Sequence, residues 1–581
     1  MQPLDYVVIA GYLLGLLTIG AVLTKRAGRS GDDYFLANRG TPWWALGASG
    51  MSSNLDVAGT VTIVALVYQF GIQGFFVEMR GGVVLPIAVW LAFMGKWHRR
   101  SQVTTTAEWM VLRFGKGDQG KVARYTAALT YLVITVLMVT FFLTAAAKFV
   151  AQFIGGVDPT LAAVVLAAIA LAYTLASGLY GVIWTDVFQA FLIGGFAIYV
   201  AVMAFGVVPE ITPEQWPGAA TNTAWPQMSL DGSDWGNLFW LALLFFAAKG
   251  ILEGLGGSGG SAYMAQRYYA AGSDRDTVKL SMLWAALFTF RWPMVMGFAV
   301  LAIHNGIGQD DPEAILSGLL LGDLFPAGIR GLAVAALLAA SMSTFDSTIN
   351  AGASYVVKDL YNPLTKSTDS KREVYVGYAA SAIIVAVGLV ITLTLLQIGT
   401  GVVDIWVGIV VAFFPGFLVP FALRWFWSRF NGYGFAAGVL AGFTTSLALW
   451  LNGRLDVVAF DPATKDALEI GLLLAASGLV SVVVALTTTP TPDTTLRRFY
   501  DQIRPWGLWP TGWRSAIDRE DGMRDVVRLV IAFVWQVTMF LLPMLAVLRE
   551  WQQLLGVAAV WSVCSLYLWF DLRRSRSVVA S

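Results

Sequence analysis

The stretch AASMSTFDSTINAG, residues 339–352, sets hydroxyls, a carboxylate and an amide into a chain that is otherwise strongly apolar. On a helix, Ala340, Ser343, Thr344 and Ser347 fall at i, i+3, i+4 and i+7 and share one face, with Asp346 and Asn350 flanking it. Hard oxygen donors of this kind suit small hard cations. A lone Ser or Thr in an apolar helix usually bonds to the carbonyl four residues back or to a neighbouring helix. A cluster that contains an acid is different, because burying a carboxylate at membrane depth is expensive and marks function.

Two further stretches break the apolar pattern. GASGMSSNLDVAGTVT, residues 47–62, mixes glycines and serines with Asn54 and Asp56. Such residues weaken helix propagation. An unwound segment exposes backbone carbonyls, which membrane depth tolerates only where they line a cavity or hold an ion. EGLGGSGGSAYMAQR, Glu253 to Arg267, is a second glycine-rich break about 200 residues later. Discontinuous helices that face a midplane site are the recurring device of secondary transporters.

The elements that must position these residues follow from composition. Of 581 residues, 57% are hydrophobic and 13% charged, against roughly 25% charged in a soluble protein. Repeated apolar runs near 20 residues long predict about fifteen membrane-spanning helices. They lie near 5–24, 42–66, 74–95, 124–154, 160–177, 184–208, 236–262, 278–304, 327–356, 374–397, 402–425, 432–451, 468–488, 526–548 and 553–571. The first run has no basic segment before it, unlike a cleavable signal peptide. Cys564 is the sole cysteine, so disulfides within the chain and cysteine metal clusters are excluded. The absence of a GxxxxGK[ST] loop speaks against ATP as the energy source, and nothing suggests a nucleic-acid partner.

Alternate loops carry the basic residues: KRAGR, KWHRR, RYYAAGSDRDTVK (which begins at Arg267), KDLYNPLTKSTDSKR, RWFWSR and LRRFYDQIR. The positive-inside rule then sets the N-terminus outside and the C-terminus in the cytoplasm of a multi-pass plasma (cell inner) membrane protein. Domain organisation is read as a leading helix and loop (1–41), a first five-helix half (42–208), an extracellular loop (209–235) and a second five-helix half (236–426). Two flanking helices (427–489), a cytoplasmic Trp- and Pro-rich linker (490–525) and two C-terminal helices with a basic tail (526–581) follow. Each half opens with a broken helix, at opposite membrane polarity, as an inverted repeat requires.

Three motifs resemble one family. DDYFLANRGTPWWALGASGMSSNL, YGVIWTDVFQAFLI and AASMSTFDSTINAGASYVVKDLYNP are similar, in order, to segments of the sodium/solute symporter family, whose members carry glucose, proline or sialic acid with sodium. The resemblance covers roughly 5–490 and implies an all-α, leucine-transporter-like 5+5 inverted repeat with extra flanking helices. It also implies a sodium ion held by the carbonyls of Ser52, Leu55 and Ala340 and the hydroxyls of Ser343 and Thr344. Five oxygens without formal charge suit Na+ better than Mg²⁺ or Ca²⁺. Some members have a second cation site, which would correspond here to Asp186, Ser343 and Ser347, with Asp346 standing where a hydroxyl is usual. Two carboxylates that close need a cation or a proton between them.

Asp56 departs from the sugar- and proline-carrying pattern and is expected to contact substrate or ion, with Gly59, Glu78, Gly254, Gly257, Ser258 and Ser261 lining the solute site. Lys249, Glu253 and Arg291 are further charges near spans, some of which should pair. The resulting expectation is a sodium-coupled symporter, not an enzyme, importing a small polar organic solute such as a sugar or amino acid. Its partners are the solute, Na+ and the lipid bilayer. Proton coupling through Asp56 or Asp346 and a non-transporting solute sensor are the alternatives.

Overall fold

The computed structural model describes residues 1–27, 31–72, 74–75, 84–153, 157–212, 247–256, 262–309, 311–366, 369–455, 458, 460 and 465–579. The described chain is built from helices. In order they are α1 (Pro3–Ala27), α2 (Trp43–Ser52), α3 (Val57–Phe70), α4 (84–101), α5 (Thr106–Phe114), α6 (Asp118–Phe153) and α7 (Pro159–Val207). Then come α8 (247–256), α9 (Ala262–Tyr269), α10 (Asp274–Phe288), α11 (Arg291–His304), α12 (Ile329–Tyr355) and α13 (Ser370–Gln397). The last are α14 (Val402–Val410), α15 (Pro415–Phe426), α16 (Gly432–Leu455), α17 (Lys465–Thr487), α18 (Asp493–Ile503), α19 (Ala516–Val547) and α20 (Trp551–Val579).

Among the described residues eleven helices are long and apolar enough to cross a membrane, and twelve when α2 and α3 count as one bent span. The expected spans near 74–95 and 236–262 fall partly outside the described residues. Helix α7 is two helices in series. Gly178 breaks it with φ 52° and ψ −156°, and the tyrosine ring of Tyr34 lies where a side chain at that position would go. Only glycine takes that backbone without strain.

Helix α12 is the axis of the bundle. Every residue from Ala333 to Tyr355 is buried, as expected of a helix with no solvent or lipid face. It packs against α1, α6, α7, α9 and α13. Its many Ala, Ser and Gly residues let those backbones approach closely, the usual basis of helix packing where lipid is as apolar as the core. Helix α20 is the opposite case: it packs on α19 and is otherwise exposed, including Leu555, Val563 and Phe570.

Segment 490–525, expected as a linker with an interfacial piece, is packed into the bundle. In α18, Leu496, Phe499, Tyr500 and Ile503 are buried at i, i+3, i+4 and i+7. Arg113 explains part of its anchoring: its guanidinium donates to the carbonyls of Arg424 (3.0 Å), Trp427 (3.0 Å) and Phe430 (3.2 Å), capping the end of α15. The rings of Phe499 and Trp509 cover that guanidinium at 5.4 and 5.1 Å. Several loop charges prove to be helical. KWHRR is the end of α4, where Lys96 pairs with Asp525 (2.7 Å) and Arg100 with Asp274 (2.7 Å).

Candidate functional site

The glycine- and serine-rich stretch at 47–62 unwinds over Ser53–Asp56 alone, and α2 and α3 meet there at 67°. Side chains compensate the broken ends. Asp56 caps α3, its Oδ1 accepting from the Gly59 amide at 2.6 Å. The Val57 amide donates to the Ser341 hydroxyl of α12 at 3.2 Å. Ser53 closes α2 by donating to the Ser49 carbonyl at 2.8 Å. Below the break, Asn54 donates to the Tyr263 hydroxyl of α9 at 3.2 Å.

Two polar pockets result, and both use α12. In the first, the Thr344 hydroxyl lies 2.8 Å from the Leu55 carbonyl and 3.1 Å from the Ala340 carbonyl. Three of the five expected sodium ligands therefore converge across the break, all neutral oxygens. The Ser52 carbonyl accepts from the Leu55 amide at 3.2 Å, and the Ser52 hydroxyl donates to the Asp186 carbonyl at 2.9 Å. Ser343 is turned away, donating to Asp186 Oδ1 at 2.5 Å. The donor set fits a monovalent ion: uncharged carbonyls and hydroxyls held by two different elements.

The second pocket brings together Asp186 and Ser347, which the family resemblance groups in a possible second cation site, and a further residue. Arg267 of α9, read from sequence as the first charge of a basic loop, is fully buried here. The physical reason is local: α9 runs to Tyr269, so Arg267 is in its last turn and faces the α2–α7–α12 junction. Its nitrogens donate to Ser49 Oγ (3.0 and 3.2 Å), Ser53 Oγ (3.0 Å), Ser347 Oγ (2.5 Å), Asp186 Oδ2 (3.3 Å) and the Tyr263 carbonyl (3.1 Å). Asp186 is also held by Ser49 Oγ at 2.5 Å. A buried ion pair survives only when hydrogen bonds satisfy its remaining donors and lone pairs, and the serines do this. Asp346 lies beside the pair, with the Tyr173 side chain and the Ser347 amide against its buried carboxylate.

The expected solute-site residues divide. The Arg291 guanidinium and the Asp56 carboxylate both lie against Gly59, where any larger side chain would meet them. Gly254 packs against Pro86 and Val89 of α4, so its small size serves helix contact. Lys249 and Glu253 pair at 2.7 Å, one turn apart and both buried. Glu78, Gly257, Ser258 and Ser261 lie outside the described residues. Among the residues missed, Ser49, Ser53 and Ser341 belonged to noted serine-rich stretches. Arg267 had one available signal: two intramembrane carboxylates, Asp186 and Asp346, needed a cation.

A model of the sodium:solute symporter family matches residues 34–442. A sodium/sialic acid symporter of Proteus mirabilis is 26% identical over 396 residues, covering 64% of this chain and 73% of the relative. A sodium/myo-inositol cotransporter 2 of Mus musculus is 27% identical over 553 residues, covering 85% of this chain and 78% of the relative. Among solved structures, a Na+-coupled sialic acid symporter in a substrate-bound outward-open state matches with a TM-score of 0.63 at 20% identity. That match covers 84% of this chain and 99% of the other, and the shared fold is what it establishes.

Proposed function

This chain belongs to the sodium:solute symporter family, and from that premise we propose that it imports a small polar organic solute together with Na+ by alternating access. The observation that carries the reading is the contact of the Thr344 hydroxyl with the Leu55 and Ala340 carbonyls across the α2/α3 break. Sodium at this corner would join a broken helix to the buried axis α12. An ion that binds better when the two are joined shifts the population toward that state, which is the thermodynamic requirement for coupling. Ser343 completes the ligand set by leaving Asp186, so the two pockets share one hydroxyl.

The energetics suffice. One sodium crossing about −100 mV gains about 2.3 kcal/mol, and a tenfold gradient adds about 1.4. Together, about 3.7 kcal/mol supports roughly 500-fold accumulation of a solute. We take the full bundle to hold fifteen spans in a 5+5 inverted repeat, with the C-terminus in the cytoplasm and residence in the plasma membrane. Asp56, Gly59 and Gly254, with Arg291 beside the first two, are the described part of the solute site, and Glu78, Gly257, Ser258 and Ser261 its remainder. Paired charges at that level suit a hydroxyl-rich or amino-bearing solute better than an apolar one.

Thermal unfolding of purified protein in NaCl, against choline chloride and KCl, tests the ion. Selective stabilisation by sodium, lost in Ser343→Ala/Thr344→Ala, is expected, and a solute screen in sodium then reads out as a further shift. The second reading, proton coupling, is favoured by the buried carboxylate of Asp346 lying beside that of Asp186. It predicts no sodium selectivity between pH 5 and 8 and a pH-dependent shift that Asp346→Asn removes.

A further inference from the structure

The joint between α4, α18 and α19, away from both pockets on α12, encloses a cavity of about 320 Å³. That volume falls in the usual range of a small-ligand site, about 300–1,000 Å³. Its charged lining comes from three parts of the chain: Lys96 and Arg100 at the end of α4, Asp501 and Arg504 at the end of α18, and Asp521 and Asp525 in the first turns of α19. Three are cations and three are carboxylates. A pure anion would meet the carboxylates and a pure cation the bases, so the balanced lining favours a ligand that itself carries both signs.

Most of these groups have bonding capacity that the protein leaves unused. An ammonium has three donors, and among the described residues Lys96 Nζ reaches one acceptor, Asp525 Oδ1 at 2.7 Å. Arg100 commits Nε to Asp274 (2.7 Å) and Nη1 to the Ile503 carbonyl (3.0 Å), leaving Nη2. The Arg504 guanidinium has no hydrogen bond or ion pair among the described residues. Asp501 gives Oδ2 to Arg497 at 3.0 Å and keeps Oδ1, while Asp521 has only Arg524, 3.9 Å away. Arg504 also closes α18 in the left-handed region, with φ 55° and ψ 55°, where glycine is the usual residue. The apolar span of α19 begins at Glu520, so Asp521 and Asp525 lie where a headgroup layer meets the hydrocarbon.

We propose that this cavity binds a phosphoethanolamine group and that the bound group ties α4 to α18 and α19. The phosphate is held by Lys96, Arg100 and Arg504, the residue types that bind phosphate through charge-assisted hydrogen bonds. The primary ammonium donates to Asp501 and Asp521. A choline headgroup has no N–H to donate, and a glycerol headgroup has no positive charge. The chemistry is the same whether the group belongs to a bilayer phospholipid or to a free solute. The site stands independently of the sodium-coupled reading.

The purified full-length protein in detergent is titrated with dihexanoyl phosphatidylethanolamine, with its choline and glycerol analogues as controls, and separately with free O-phosphoethanolamine, following the thermal transition. The ethanolamine lipid is expected to raise the transition at concentrations where neither analogue does. A matching shift from free O-phosphoethanolamine supports the site with a solute as its source; a shift from the lipid alone supports it with the bilayer as its source. Arg504→Gly relieves the left-handed backbone, so it should fold at least as stably without ligand, yet need about tenfold more ligand for half-saturation. Asp501→Asn/Asp521→Asn should erase the preference for the ethanolamine over the glycerol headgroup. Equal shifts from all the lipids, no shift from any probe, or a shift that Arg504→Gly leaves unchanged would overturn the proposal.

Discussion

The two pockets on α12 are made by consecutive residues and have opposite character. Thr344 opens onto the helix break, where it meets two neutral carbonyls. Ser343 opens onto α7 and α9, where it meets a carboxylate already paired with a buried guanidinium. One pocket lacks a charge of its own, so a cation held there is stabilised by carbonyl and hydroxyl dipoles alone. The other holds charges of both signs supplied by the chain, Asp186 and Asp346 against Arg267. Which pocket a polar helix face builds is therefore decided by the neighbouring element, since the hydroxyls on α12 are alike.

The comparison can be broken at either pocket, and the charged one should give the larger effect. Asp186→Ala removes the carboxylate that buried Arg267 contacts directly and is expected to cost about 3–5 kcal/mol, visible as a large fall in the thermal transition. Asp186→Asn/Arg267→Gln removes both charges and should recover most of that loss; strictly additive penalties would show that the two residues are not coupled. At the neutral pocket, wild type in NaCl at a hundred times its Kd should gain about 2.7 kcal/mol. Thr344→Ala should abolish that gain while leaving stability in choline little changed. A retained sodium shift would remove Thr344 from the site.

Smaller effects sharpen the picture of the break. Ser341→Ala withdraws the acceptor from the Val57 amide and should cost about 1 kcal/mol in the absence of sodium. Asp56→Ala removes the α3 cap for a similar cost, about 1 kcal/mol, and should additionally abolish any solute-induced shift if Asp56 contacts solute. Asp346→Asn neutralises a buried carboxylate beside Asp186 and Arg267 while keeping its shape, and should change stability by about 1 kcal/mol. A marked destabilisation there would mean that its charge is part of the Arg267 cage.

The polar face of α12 and the unwinding near 53–56 were legible in the sequence because both violate what an apolar span tolerates. Their spacing also put Ala340, Ser343, Thr344 and Ser347 on one side. Arg267 was not legible, for a physical reason. A charge in the last turn of a membrane helix can reach headgroups or turn inward, and the loop-charge bias that orients a bundle counts both alike. The same blindness applied to Arg424, counted in the basic stretch RWFWSR but fully buried, with the Trp109 ring 4.4 Å from its guanidinium carbon. Within segment 490–525, read as a linker, α18 and Trp509 pack inward. The 3.6-residue period of Leu496, Phe499, Tyr500 and Ile503 was the available sign.

The packing of that segment has an optical consequence. Trp109 and Trp425 lie 4.3 Å apart, Trp97 stands 5.8 Å from Trp425, and Trp506 stands 5.9 Å from Trp97. Indoles this close share absorbed light, so emission comes from the group and not from single rings. The four belong to α4, α5, α15 and the segment before α19, so any step that parts these elements alters the intrinsic ultraviolet emission. The molecule carries its own unlabelled reporter of that movement.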